Sequence, residues 1–225
     1  MTESTADDEA VLGADHPEQV AEELQALADE LRRVLAAAVQ VRPLPGELLP
    51  HVALARRLAD GLEAVSSVHA PAPGAVVRPY DPNRLNPVSG GANALAPPLR
   101  MWAVTEGPDG PEGRRTQGTV RFGPAYQGPP GHAHGAMVAA MYDDLLGRSQ
   151  LGAGFTGSIT IRFLAPTPLD RDLDVRAWVD RTEGRKRWVH GTCHLDGRLL
   201  TEAEGLFIAP KGGATLEGIV GALGG

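Results

Sequence analysis

The sequence predicts an α+β protein in which a long central helix is held against one curved antiparallel β-sheet, with a helical hairpin ahead of both. Three observations predict it. Two stretches in the N-terminal third repeat apolar residues at helical spacing. A small-residue segment from about 133 to 151 reads as one helix that starts abruptly after a Pro/Gly turn. The segments around it alternate as strands joined by tight turns. Strands joined by hairpins pair antiparallel, and such a sheet buries one face by packing a helix on it.

Taken in order, residues 1–14 are acidic and read as a disordered tail. Asp15, His16, Pro17 and Glu18 then supply a helix cap, an early proline and an acid in the first turn. Val20, Leu24, Leu27, Leu31, Val34 and Leu35 make one apolar stripe. Pro43, Pro45 and Gly46 break it, and a second stripe follows at Leu48, Val52, Ala55, Leu58, Leu62 and Val65. The two helices form a hairpin over 15–68 that must lie on something apolar: its own sheet, a substrate tunnel or an oligomer interface. Each stripe is short for a coiled coil. Residues 69–98, rich in Pro, Gly and Asn, have no sustained period and read as an irregular connector.

The sheet-and-helix domain is expected over 99–212. Its strands are Leu99 to Glu106 and, after a turn at 107–113, Gln117 to Phe122. The helix over about 133–151 interrupts them. Further strands are expected around Thr156 to Phe163, Leu173 to Thr182, Lys186 to Leu195 and Leu199 to Ile208. Glu183-Gly184-Arg185 and Asp196-Gly197 are hairpin turns, the Asp-Gly pair being the stronger signal. Residues 213–225 form a C-terminal tail.

With 42% hydrophobic and 22% charged residues in 225, the composition is that of a soluble globular protein, and no apolar run reaches the length of a membrane span. The acidic N-terminus lacks the basic start and apolar block of a secretory signal. The single cysteine, Cys193, has no disulfide or zinc-cluster companion and is read as a small filler in a strand. These features predict a cytoplasmic protein. The net charge of -7 is uneven: residues 1–31 hold ten acids and no Lys or Arg, which leaves 18 acids against 21 bases, or +3, for the rest. The basic body suits a polyanionic small molecule, and the acidic head argues against nucleic acid. Charges that simply solvate the surface explain the pattern as well.

The chemistry concentrates at Gly128-Pro129-Pro130-Gly131-His132-Ala133-His134-Gly135-Ala136, which runs into the helix Met137 to Gly147. A helix start exposes unpaired backbone N–H groups, here near Gly135 and Ala136. With the positive end of the helix dipole, they are suited to hold a thioester carbonyl oxygen as negative charge develops on it. Asp143 lies nine residues beyond His134, about 13 Å along the helix axis. That is too far to serve the same carbonyl. If a second copy of the helix runs antiparallel, Asp143 of one subunit faces the helix start of the other, so the spacing predicts a dimer.

These residues resemble the hotdog-fold acyl-CoA thioesterases of the phenylacetate-pathway and THEM-like type, whose signature is His-Gly-Gly followed by an Asp or Glu on the same helix. The likeness extends to Asn93 through Leu99, to Phe122 through Gly131, to Gly154 through Leu169 and to Ala203 through Ile208, roughly residues 86 to 210. The resemblance implies a hotdog fold, acyl-CoA as substrate, a homodimer or homotetramer, and no cofactor, metal, nucleic acid or membrane partner. It implies Asp143 as general base or nucleophile and the Gly135 backbone as oxyanion donor. His134 would orient the turn, and Thr156 would help to position the attacking water. Ala136 departs from the second Gly of the signature and implies a tighter acyl or thiol channel. Asp144 stands where many relatives have Glu and competes with Asp143, which is preferred. Tyr126 and Gln127 precede the turn and are candidates to line the substrate.

The remaining polar residues are read structurally. His132 and His134 form a His-x-His pair without a local third ligand. His190 and His194 share a strand face. Arg162 and Arg185-Lys186-Arg187 could meet coenzyme A phosphates, yet solvated charge is the default there. Glu202 and Glu204 share a strand face, and Asp170 and Asp172 belong to a surface turn. Two other functions stay open: a non-catalytic acyl-CoA or lipid-binding hotdog protein, hinted at by Ala136, and a hotdog hydratase. The hydratase expects an Asn-Pro-x-His type of segment that this chain lacks.

Overall fold

The computed structural model describes residues 17–68, 84–104, 115–150 and 154–211. The expected tails at 1–14 and 213–225, the turn at 107–113 and the first half of the connector lie outside these residues. Two helices open the described chain, α1 (Pro17–Ala38) and α2 (Leu49–Val68). Strands β1 (Leu99–Val104) and β2 (Arg115–Arg121) follow, then a single 3-10 turn at Pro124–Tyr126 and helix α3 (Gly135–Ser149). Strands β3 (Phe155–Phe163), β4 (Asp172–Glu183), β5 (Lys186–Leu195) and β6 (Arg198–Ile208) complete the fold.

The six strands form one sheet in the order β1-β2-β4-β5-β6-β3, and every neighbouring pair is antiparallel. Because β2 and β3 lie far apart in this order, the chain between them must cross the sheet, and α3 makes that crossing. Register shifts in β3, β4 and β5 add the local twist that bends a sheet around a helix. This is the expected hotdog arrangement.

The packing follows from two periodicities. Along β4, Leu173, Val175, Ala177 and Val179 are buried, while Asp172, Asp174 and Arg176 point out. Along α3, Val138, Met141, Tyr142, Leu145 and Leu146 recur at helical spacing and are buried. Each large side chain so buried contributes roughly 1.5–3 kcal/mol. Gly191 and Gly205 let α3 sit close to the sheet: a Cβ at either would fall 2.8 and 2.9 Å from the Leu146 methyls. Tyr142 places its hydroxyl 2.8 Å from both the Thr201 carbonyl and Thr201 Oγ1, so its buried polar atom is satisfied.

Both expected hairpin turns form. Leu195 pairs with Arg198 around Asp196 and Gly197, whose φ values of 50° and 80° fit the positive-φ turn that Asp-Gly favours. Glu183 pairs with Lys186 around Gly184 (φ 57°) and Arg185.

The N-terminal stripe docks by its middle, where Leu24, Leu27 and Leu31 are half-buried, and not by its ends. The buried positions of α1 are Ala21 and Ala28, whereas Val34 is 59% exposed, and Val20 and Leu35 are also exposed. Arg32 is half-buried on the same face as the two alanines. Its guanidinium donates to the carbonyls of Gly91, Asn93 and Ala96 at 2.7–2.9 Å and meets Asp29 at 2.6 Å. The small residues allow that close approach of segment 84–98, and the arginine holds it.

Candidate active site

The turn before α3 is built by its own backbone. Gly128 N–H donates to His132 O and His134 N–H to Tyr126 O, at 3.0 and 2.8 Å, while Ala133 N–H bonds Thr167 O at 2.8 Å. Gly131 takes φ 74°, a conformation suited to glycine, and its N–H donates to Gln127 Oε1 at 3.1 Å. Gln127 therefore closes the turn. Tyr126 stacks edge-on with Phe122 at 6.1 Å and faces the side of the turn covered by α1. Burial raises its phenol pKa, against the opposing charge of Arg32.

His134 is the N-cap of α3 in extended backbone geometry, and its Nδ1 accepts the Ala136 N–H at 3.0 Å. Of the two donors expected at the helix start, that of Ala136 is thus committed to the cap. Gly135 N–H has no acceptor among the described residues, as the first helical position allows. A Cβ on Gly135 would lie 3.5 Å from the Phe163 ring, so the glycine sits directly under the end of β3. Beside it opens a cavity of about 440 Å³ lined by His132, Gly135, Val138, Phe163, Leu164 and Thr167, among others. The Thr167 hydroxyl is buried and has no hydrogen-bond partner in the described structure.

The two carboxylates of α3 have different surroundings. Asp143 is exposed on the flank facing β3, and its Oδ1 accepts the Thr156 hydroxyl at 2.8 Å. Asp144 points to the other flank, where Oδ1 accepts from Asn86 Nδ2 at 3.1 Å and Oδ2 meets Arg148 Nε at 3.0 Å. Arg148 continues to Ser89 Oγ at 2.9 Å. Asp144 is therefore a brace between the helix and segment 84–98.

A second cavity of about 670 Å³ lies on that braced side, under α1, among Leu35, Val39, Leu95, Tyr126, Met137 and Ala140. The partners of Asp144 and the Arg32 contacts are features that the sequence did not reveal. The Asp144–Arg148 spacing of four was the only local signal for them.

The remaining candidates are engaged elsewhere. His132 Nδ1 lies 2.9 Å from the Pro130 carbonyl. Among the described residues no group of three or more His, Cys, Asp or Glu could hold a metal. His190 stacks on Trp178 at 4.8 Å, and burial lowers the pKa of His194, helped by Arg176. Arg162 pairs with Glu202, and Arg185 donates to the Ala209 carbonyl. Burial pushes the Cys193 thiol up to about 12.

No family model matches the chain. A crystal structure of a thioesterase superfamily protein is similar over 82% of this chain and 90% of that one, with 30% identity and a TM-score of 0.68. Acyl-coenzyme A thioesterase THEM4 of Bos taurus is 36% identical over 99 residues, 42% of this chain and 41% of that protein. Acyl-coenzyme A thioesterase THEM5 of Homo sapiens is 35% identical over 71 residues, 30% of this chain and 29% of the relative. The chain thus spans less than half the length of these curated relatives. The likeness to the crystal structure covers more than four fifths of both chains, and on it this protein belongs to the thioesterase superfamily.

Proposed function

We propose that this chain hydrolyses acyl-CoA thioesters to the free acid and coenzyme A. The observation that carries the reading is the division of labour on α3. Among the described residues Gly135 N–H has no acceptor at the helix start, Asp144 is occupied as a brace, and exposed Asp143 accepts only from the Thr156 hydroxyl. Asp143 and Gly135 are eight residues apart, about 12 Å along the axis. One chain cannot apply both to one carbonyl. β3 supports a remedy: among the described residues it is a sheet edge bonded only to β6, and it carries Phe155 and Phe163 at 48% and 55% exposure. Two copies joined along this edge with their α3 helices antiparallel would bring Asp143 of the partner subunit to Gly135.

In that arrangement Gly135 N–H and the α3 dipole stabilise the carbonyl oxygen as it gains charge. Asp143 takes a proton from water, whose oxygen adds to the carbonyl carbon, and the C–S bond then breaks. The thiolate leaves and takes up the proton as the free thiol. Direct attack by Asp143 on the carbonyl, through an anhydride hydrolysed in a second step, uses the same two groups. Thr156 orients the carboxylate, and His134 fixes the turn by capping Ala136 N–H. The names of the curated relatives support acyl-CoA as substrate. No helix of the described structure is long and apolar enough to cross a membrane. Buried, unpaired Cys193 fits a reducing compartment, which favours the cytoplasm.

The test is free-thiol release from short, long and aromatic acyl-CoAs by wild type and Asp143→Asn in parallel. Release that falls with the substitution is expected. Equal rates for the two proteins remove Asp143 from the mechanism. Acyl-CoA binding without release by either protein favours the non-catalytic binding reading.

A further inference from the structure

The wall of the cavity beside Gly135 holds a hydroxyl that the fold leaves unused. Thr167 is 4% exposed, and its Oγ1 is buried without a hydrogen-bond partner among the described residues. The buried hydroxyls of Tyr142, Thr201 and Ser149 are all engaged, at 2.8 Å. Burying a hydroxyl without a partner costs stability, and a valine fills the same space without that cost. The backbone gives no reason for threonine either. Thr167 O accepts the Ala133 N–H at 2.8 Å, and the bridge between His132 and Pro168 seats the segment against the turn, whatever the side chain. A partner that arrives with a ligand accounts for the hydroxyl. Thr167 has no side-chain hydrogen bond to give up, so it is free to change rotamer as a ligand enters.

The cavity suits a ligand. Its volume of about 440 Å³ is in the range of small-molecule sites, and most of its walls are apolar. Gly135, the proposed donor to the thioester carbonyl, lies in the same wall as Thr167. A thioester carbonyl held there sends out two arms, and the first turn of α3 stands between two cavities. Gly135 and Val138 line the smaller, Met137 and Ala140 the larger. The arms differ in chemistry. An acyl chain is hydrocarbon and gains nothing from a hydroxyl. The thiol arm of coenzyme A carries secondary amides, whose N–H and C=O groups lose water's hydrogen bonds on entering an apolar cavity. A threonine hydroxyl can donate to the one or accept from the other. The larger cavity, walled by Leu35, Val39, Leu95 and Met137, suits the hydrocarbon: Arg33 and Arg121 beside it have exposed side chains, and Arg32 is held by backbone carbonyls.

We propose that Thr167 binds the thiol arm of the substrate: the arm occupies the cavity between the start of α3 and the end of β3, and the Thr167 hydroxyl bonds its amide. The identity of the ligand rests on the proposed thioester hydrolysis. Thr167 acts in binding and takes no part in proton transfer.

Titration calorimetry with coenzyme A tests the contact without relying on turnover. Thr167→Val, which keeps the shape and removes the hydroxyl, is expected to bind coenzyme A about five- to tenfold more weakly than wild type, and Thr167→Ser within about twofold of it. Urea unfolding of the free proteins reads a structural role. With no partner to lose, Thr167→Val is expected to be at least as stable as wild type, and a clear loss of stability overturns the proposal. Kinetics identify the arm. For one acyl group, the preference in kcat/KM for the coenzyme A thioester over the S-ethyl thioester, which lacks the amides, is expected to fall about five- to tenfold on Thr167→Val. An equal loss on both thioesters overturns the assignment to the thiol arm. Unchanged affinity for coenzyme A in Thr167→Val overturns the proposal, and water is then the partner of the hydroxyl. If valine prevents folding, Thr167→Ala removes the same hydroxyl and is read in the same titration. Absence of thiol release from every protein refutes the hydrolysis and leaves the titration to decide Thr167. Wild type without affinity for coenzyme A overturns the proposal, while any thiol release still stands for the reaction.

Discussion

The Thr156 hydroxyl donates a 2.8 Å hydrogen bond to the Asp143 carboxylate, tying the middle of the central helix to the edge strand of the sheet. The next residue, Asp144, turns to the opposite flank and is held by Asn86 and Arg148. Neighbours in sequence are about 100° apart on a helix, so adjacent carboxylates can serve different purposes.

Substitution should separate them. Asp143→Asn is expected to lower kcat by about a hundredfold or more while leaving the melting temperature within error, because the side chain is exposed. Asp144→Asn should do the reverse, costing about 1 kcal/mol of stability through its half-buried contacts and changing kcat little. Paired steady-state kinetics and thermal melts read both. A stability loss at Asp143 and a rate loss at Asp144 would reverse the assignment.

His134 acts by accepting a hydrogen bond, so what matters at this position is the acceptor. His134→Ala is expected to cost about 1 kcal/mol and to lower kcat/KM as the helix start loosens. His134→Asn, which also supplies a side-chain acceptor at the N-cap, should recover most of the stability. If His134→Asn behaves like His134→Ala in urea titrations, the imidazole has a role other than capping.

Cys193 should be silent in any thiol-release assay. Burial raises its pKa from near 9 to about 12, so the native thiol stays protonated and covered. A chromogenic disulfide reagent at pH 8 is expected to label the protein only after denaturant is added. Below about pH 9 the thiol is neutral in both states, and above it the unfolded chain ionises first. Stability is therefore lost as pH rises toward 12.

Gly191→Ala tests how closely α3 sits on the sheet. The new methyl would fall 2.8 Å from Leu146 Cδ2 and 3.1 Å from Tyr142 Cε1. A loss of roughly 1–3 kcal/mol in urea unfolding is expected, and Leu146→Ala in the same chain should return part of it. Full additivity of the two changes would show that the contact does not limit the approach.

What the sequence disclosed was local. Alternation in β4, the Asp196-Gly197 turn and the helical spacing of Val138, Met141, Tyr142 and Leu145 all lie within a few residues of one another. The central helix and five of the strands could be read from such patterns to within two residues at their described ends. On α1 the middle of the apolar stripe, Leu24, Leu27 and Leu31, is half-buried, but the two alanines and the arginine that complete the docked face could not be read from it. Their value comes from carbonyls at 91–96, about sixty residues away. The brace on Asp144 was hidden in the same way, since Asn86 is 58 residues distant. β3 burial was equally non-local: on one face Ile159 and Ile161 are half-buried against the core, while Phe155 and Phe163 at the two ends of the strand stay exposed.

The segment around Gly91, Asn93 and Ala96 turns its carbonyl oxygens toward one cation, much as the loops of calcium-binding proteins do around their ion. Here the cation is a guanidinium tethered to the chain at Arg32. Chelators cannot extract it, and dilution cannot weaken its occupancy. The order of this loop therefore needs no bound metal ion and is encoded with the chain itself.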